Sequence, residues 1–170
     1  PLSARGEGGL RDRMESLLAR VTGSVLGLLL PLNCAVCGRE GRALCLGCEA
    51  VFPRLEKPYC LVCAGPGPAR VCEWCATTPM ALDGIRAPYL FDRALREMVH
   101  RLKYNNLRAS APDLGRLLAA YLKDNPMPCD VVMPVPLHKR RERGYNQSEL
   151  LARELGERTG MPVDTCVLRR

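Results

Sequence analysis

Four C-x-x-C pairs fall between residues 34 and 75: Cys34 with Cys37, Cys45 with Cys48, Cys60 with Cys63, and Cys72 with Cys75. Two cysteines at this spacing can turn both thiolates toward one tetrahedral ion, so four pairs supply the eight ligands that two all-cysteine zinc sites need. A disulfide framework would be spread through a small secreted domain instead, which makes a reducing cytoplasm the expected compartment. Grouping the pairs in sequence order gives two local ribbons and is the preferred arrangement. A crossed arrangement stays open on spacing alone. Four thiolates leave an ion no position for water or substrate, so the expected zinc ions are structural rather than catalytic. Cys129 and Cys166 stand apart and are expected to pack at strand ends.

A second chemistry-bearing stretch runs from Val132 through Pro136 to Gln147, and holds Lys139, Arg140, Arg141 and Arg143 just before Gly144. In open parallel sheets, ligands bind where a strand's carboxyl end meets the next helix's N-terminus. Cations and a glycine at such a place suit phosphate or pyrophosphate. A charge run solvated beside a helix start is the plainer alternative, and the residues alone do not separate the two.

The elements that must position these groups fall into segments of different composition. Residues 1–32 form an N-terminal segment in which Met14, Leu17, Leu18, Val21, Val25, Leu28 and Leu29 recur at helical steps, predicting an amphipathic helix over 10–30. Its apolar part resembles a signal core but lacks the small residues of a cleavage site and is too short to span a bilayer, so no stable membrane insertion is expected. Residues 33–79 are rich in Gly and Pro and read as turns and short hairpins organised by metal rather than by a hydrophobic core. From residue 80 the pattern becomes that of a globular domain: a strand over 84–91, a helix marked by Leu95, Met98, Val99 and Leu102, and another marked by Leu114, Leu117, Leu118, Tyr121 and Leu122. There follow a β-branched strand over 130–136, a helix over 144–160 and a strand over 162–168. Strand, loop, helix, strand is the order of a parallel α/β sheet.

Composition is that of a soluble globular chain, 47% hydrophobic and 25% charged, which argues against wholesale disorder and against a polytopic membrane protein. The net charge of +7 lies mostly in the second half, with sixteen Lys and Arg against eleven Asp and Glu after residue 80, and favours anionic partners without specifying them. With aromatics at 5%, a platform of many stacked rings for single-stranded nucleic acid is disfavoured.

The C-x-x-C ribbons, then Leu102-Lys103-Tyr104, then Pro134-Val135-Pro136-Leu137-His138 with Arg141-Glu142-Arg143-Gly144-Tyr145-Asn146-Gln147, and finally Leu168 and Arg170, resemble in order the bacterial ComF family over about residues 28–170. That family is associated with competence and uptake of single-stranded DNA. The resemblance implies an α/β architecture: an N-terminal helix and double zinc ribbon, then the first part of a type I phosphoribosyltransferase-like parallel-sheet domain over 80–170. It implies binding of 5-phosphoribosyl 1-pyrophosphate (PRPP) or pyrophosphate, with Mg2+ in a full-length protein, and it makes Lys139, Arg140 and Arg141 candidate pyrophosphate ligands. Single-stranded DNA and competence-machinery proteins are the implied macromolecular partners. The family's adjacent acids and phosphate-cradling loop have no counterpart here, since no two acidic residues are adjacent anywhere in the sequence. These residues are therefore expected to be the front portion of such a protein and not catalytic alone. The competing reading is a zinc-ribbon module that binds DNA or protein with no catalysis.

Overall fold

A computed structural model of the chain describes residues 32–78, 80–137 and 144–169. The helix expected over 10–30 and the cations Lys139, Arg140, Arg141 and Arg143 lie outside the described residues.

Two short helices belong to the cysteine-rich part: α1 (Leu46–Ala50) and α2 (Glu73–Thr77). Each begins directly after the third cysteine of its group, with Cys45 and Cys72 as the N-caps. Five residues show no apolar periodicity, which is why the sequence pattern there reads as turns. The longer helices are α3 (Arg93–Tyr104), α4 (Ala111–Asp124) and α5 (Gln147–Thr159), and all three fall where apolar spacing predicts them. Their ends have local causes. Asp92 caps α3 by accepting from the Leu95 amide at 3.2 Å, and Asn146 caps α5 by accepting from the Ser148 amide at 3.0 Å. Gly160 ends α5 at φ +75°, in the left-handed region that side chains disfavour.

The hydrophobic core takes Met98 and Leu102 from α3, and Ala111, Leu114 and Leu117 from α4. It also takes Cys34, Ala35, Leu44, Cys48 and Phe52 from the first cysteine group. That corrects the expectation of a coreless cysteine module: Leu44 is fully buried and Phe52 nearly so, because α3 and α4 cover them. The core therefore runs across residue 79, where composition changes. Two glycines allow the close approaches around α5. A Cβ on Gly115 of α4 would lie 2.3 Å from the Glu154 Cβ, and one on Gly156 would lie 2.4 Å from a Val163 methyl.

Strands are less developed than the sequence predicts. Among the described residues, β pairing is confined to single-residue bridges. In place of a strand over 84–91, Tyr89 bridges Arg54 antiparallel, supported by the Leu55 amide to Pro88 and the Leu90 amide to Pro53. In place of strands over 130–136 and 162–168, Val132 bridges Val163 in parallel, the Val132 amide donating to Pro162 and the Asp164 amide to Val132. Pro134 and Pro136 remove two amide donors from the first of these segments, and a pair with no third neighbour has little to extend it. Bridge, α5, bridge still follows the order expected for a parallel crossover. No helix among the described residues is long and apolar enough to cross a membrane.

Candidate metal centres

The structure brings the cysteines together in sequence order. Cys34, Cys37, Cys45 and Cys48 form one group, Cys60, Cys63, Cys72 and Cys75 the other, and within each the sulfur atoms all lie within 4.8 Å of one another. Four sulfurs at about 2.3 Å from a tetrahedral ion would be separated by about 3.8 Å along each edge. The Cys37 and Cys45 sulfurs are 3.7 Å apart, and those of Cys63 and Cys72 are 3.8 Å apart. All-thiolate sets of this size suit zinc, and each group can hold one ion.

Backbone amides point at the sulfurs. The Cys45 amide donates to Cys34 Sγ at 3.5 Å, the Cys72 amide to Cys60 Sγ at 3.4 Å, and the Gly65 amide to Cys63 Sγ at 3.4 Å. Such donors favour thiolate over thiol. At Cys34 burial opposes ionisation, yet the amides of Cys37, Cys45 and Val36 outweigh it and bring the thiol down to about 6. At Cys60 the amides of Cys63 and Cys72 likewise bring it down to about 6. Burial pushes Cys48 up to about 12 and drives Cys75 upward too, and the neighbouring sulfurs add to both shifts. Without a cation, then, each group ionises only in part. A divalent ion offsets the accumulated charge and releases the remaining protons.

The two groups are built alike. The Gly38 amide donates to Cys34 O and the Ala64 amide to Cys60 O, both at 2.9 Å. Ala35 donates to Ala43 and Leu61 to Arg70, again both at 2.9 Å. The Asn33–Glu40 bridge has its counterpart in Tyr59–Pro66, and Gly38 at φ +77° has its counterpart in Ala64 at φ +58°. The correspondence runs at an offset of 26 residues up to the turn and 27 after it, from Cys34/Cys60 to Cys45/Cys72. Reading the pairs as two ribbons misses this internal repeat, although the matched C-x-x-C spacing carries its signal.

Their settings differ. The first ribbon is fastened to α4: the Asp113 carboxylate accepts from Arg42 at 3.0 Å and from the Leu44 amide at 3.2 Å, while both Glu49 oxygens accept from Arg116. The Arg116 hydrogen bond holds the Glu49 carboxyl below its usual range. These partners lie more than sixty residues apart in sequence, so no spacing rule could pair them. Among the described residues, the second ribbon meets α4 only at its edge, where Tyr59 hydrogen-bonds Tyr121, and it is tied to the segment after it through the Ile85 amide to Val62 at 2.7 Å and Arg86 Nη1 to Leu61 O at 2.7 Å. Cys129 and Cys166 belong to neither group and are exposed, contrary to the packing expected for them; Cys129 Sγ lies 3.3 Å from the Met161 sulfur.

Both flanks of the basic stretch are described. The Asn146 side chain donates to Val135 O at 3.1 Å, tying the two sides together. Arg108 donates to Gly144 O at 3.3 Å and stacks over the Tyr145 ring at 4.4 Å, while the Tyr145 hydroxyl donates to Leu102 O at the end of α3. Tyr104, in the Leu-Lys-Tyr run, is exposed, with its ring 4.7 Å from His100.

The fold and the two thiolate groups describe a double four-cysteine ribbon joined through a shared core to a helical segment. Over 145 residues the chain is 30% identical to the DNA utilization protein YhgH of Salmonella typhi, an alignment that covers 81% of this chain and 59% of that relative. The chain therefore spans less than two thirds of the length of the relative it matches. No family model matches the chain, and no solved structure matches it.

Proposed function

We propose that this chain is the zinc-ribbon and opening α/β portion of a ComF-type protein acting in DNA uptake or utilisation in a bacterial cytoplasm. The observation that carries the reading is the pair of complete four-cysteine groups in a chain similar to a DNA utilization protein. In this reading two zinc ions staple the ribbons, and the ribbons brace α3 and α4. The parallel order of Val132, α5 and Val163 supports the start of a phosphoribosyltransferase-like sheet. Lys139, Arg140 and Arg141 then take pyrophosphate or PRPP with Mg2+. The tie between Asn146 and Val135 and the clamp of Arg108 on Gly144 support that reading by bracing the described flanks of the basic stretch. Ribosyl transfer by these residues alone is not part of the proposal, because nothing in the sequence supplies the acidic pair that would orient the ribose.

Calorimetric titration of Mg2+-PRPP into zinc-loaded protein, with metal content measured on the same sample, tests it. Saturable binding that is lost when Lys139, Arg140 and Arg141 are replaced by Ala, with two zinc ions per chain, supports the reading. Two zinc ions without PRPP binding would favour the second reading: a ribbon module that recruits single-stranded DNA or proteins of the uptake machinery, with no chemistry. The relative's name is what favours that alternative. Salt-dependent retention of an oligo(dT) probe would identify its DNA form.

A further inference from the structure

The internal repeat makes the first ribbon a template for reading the second. In the first, the face formed by Leu44, Glu49 and Phe52 is covered by an amphipathic helix, α4, whose Asp113 takes the Leu44 amide and Arg42 and whose Leu114 and Leu117 share the core with Leu44. At the 27-residue offset, Leu44 corresponds to Val71 and Glu49 to Ala76. Leu44 is 0% exposed, Val71 is 43% exposed, and Ala76 is exposed where Glu49 pairs with Arg116. Among the described residues, the Val71 amide has no acceptor where the Leu44 amide has Asp113. Arg70 stands at Ala43's place, one residue from the position of Arg42, and its guanidinium has no acidic partner among the described residues. Beside this face Trp74 is 59% exposed at the position of Gly47, so the ribbon backbone does not need an indole there. Beyond the Thr78 amide, which closes α2 on Trp74 O, the segment after α2 bonds to Leu61 and Val62 and, among the described residues, makes no hydrogen bond to residues 70–73.

We infer that the Val71–Ala76 face of the second ribbon docks an amphipathic helix of a partner protein, one that presents a carboxylate to Arg70 and the Val71 amide and leucines to Val71 and Ala76, as α4 does on the first ribbon. This gives a chemistry to the protein partner of the second reading above. It requires neither PRPP nor DNA, so its failure leaves the zinc and PRPP proposals untouched.

The test uses zinc-loaded full chain and a synthetic peptide of residues 108–125, the helix that the first ribbon already receives. Trp74 is the chain's single tryptophan, so intrinsic fluorescence reports beside the face. The peptide is expected to shift Trp74 emission saturably. Asp113→Lys in the peptide should weaken binding at least tenfold, and Arg70→Glu in the protein should restore binding of that Lys peptide. Ala76→Arg, at an exposed position, should abolish the shift while two zinc ions remain bound. No saturable shift, or a shift unaffected by Arg70→Glu and Ala76→Arg, overturns the inference. So does a shift produced by oligo(dT), or by a peptide of residues 10–31, when the 108–125 peptide gives none. Those outcomes assign the face to nucleic acid or to the chain's own amino-terminal segment.

Discussion

At the scale of single residues, two kinds of contact hold the first ribbon, and they are not equally readable. The eight cysteines declare themselves by spacing because all four ligands of an ion come from one short stretch. Asp113 and Arg116 do not, since on α4 they look like ordinary exposed charges until the fold brings Arg42, Leu44 and Glu49 against them. The Arg116–Glu49 pair is bidentate but partly solvated, with Arg116 36% exposed, so its net worth is modest. A double-mutant cycle of Glu49→Gln with Arg116→Met, read by urea denaturation of the zinc-loaded protein, should give a coupling of about 1 kcal/mol. Asp113→Ala should cost more, about 1–3 kcal/mol, because it also strands the partly buried Leu44 amide.

At the scale of elements, the long helices are legible because their apolar residues repeat against a single core, and their ends because Asp92, Asn146 and Gly160 carry cap chemistry. The strands are overestimated by the same reasoning. β-branched runs such as Val131-Val132 show a tendency to pair, whereas the extent of pairing depends on neighbours that no local pattern supplies. The glycines inside α4 and α5 offer no signal of their purpose. Each weakens its helix in isolation, and each is retained where another element passes too close for a methyl group. Gly115→Ala and Gly156→Ala should each destabilise by about 1–3 kcal/mol through overpacking, measured as a lower urea midpoint with an unchanged slope. The ribbons should also differ in how they fail. Cys63→Ser should reduce bound zinc from two ions to one while far-ultraviolet circular dichroism keeps most of its helical signal. Cys48→Ser, whose ribbon shares the core with α3 and α4, should lose helical signal along with its ion. Equal helical loss in both variants would contradict the difference in embedding.

At the scale of the whole molecule, the change in composition near residue 79 is real but is not a boundary in packing, because the first ribbon is one wall of the helical core. Composition records how a segment is stapled, and it does not record what the segment is later pressed against. The segments around the parallel bridge leave Met133, Val135, Val167 and Leu168 at 41–64% exposure. Paired backbone with uncovered apolar side chains invites self-association. Sedimentation velocity at rising concentration should therefore show reversible association of the 170-residue chain, reduced by Val135→Lys with Val167→Lys. A monomer at all concentrations would contradict this.

The sharing of one core between the first ribbon and α4 also has a consequence in time. The ligands of the first ion are complete once Cys48 has been made, but the helix that covers Leu44 and Phe52 ends at Asp124, about seventy-five residues later. At a synthesis rate of about 5–20 residues per second, the nascent ribbon presents that bare apolar face for roughly 4–15 seconds. During that interval the Leu44 face of the first ribbon is as bare as the Val71 face of the second is in the finished chain, and a holdase chaperone would meet two such surfaces where the folded protein keeps one.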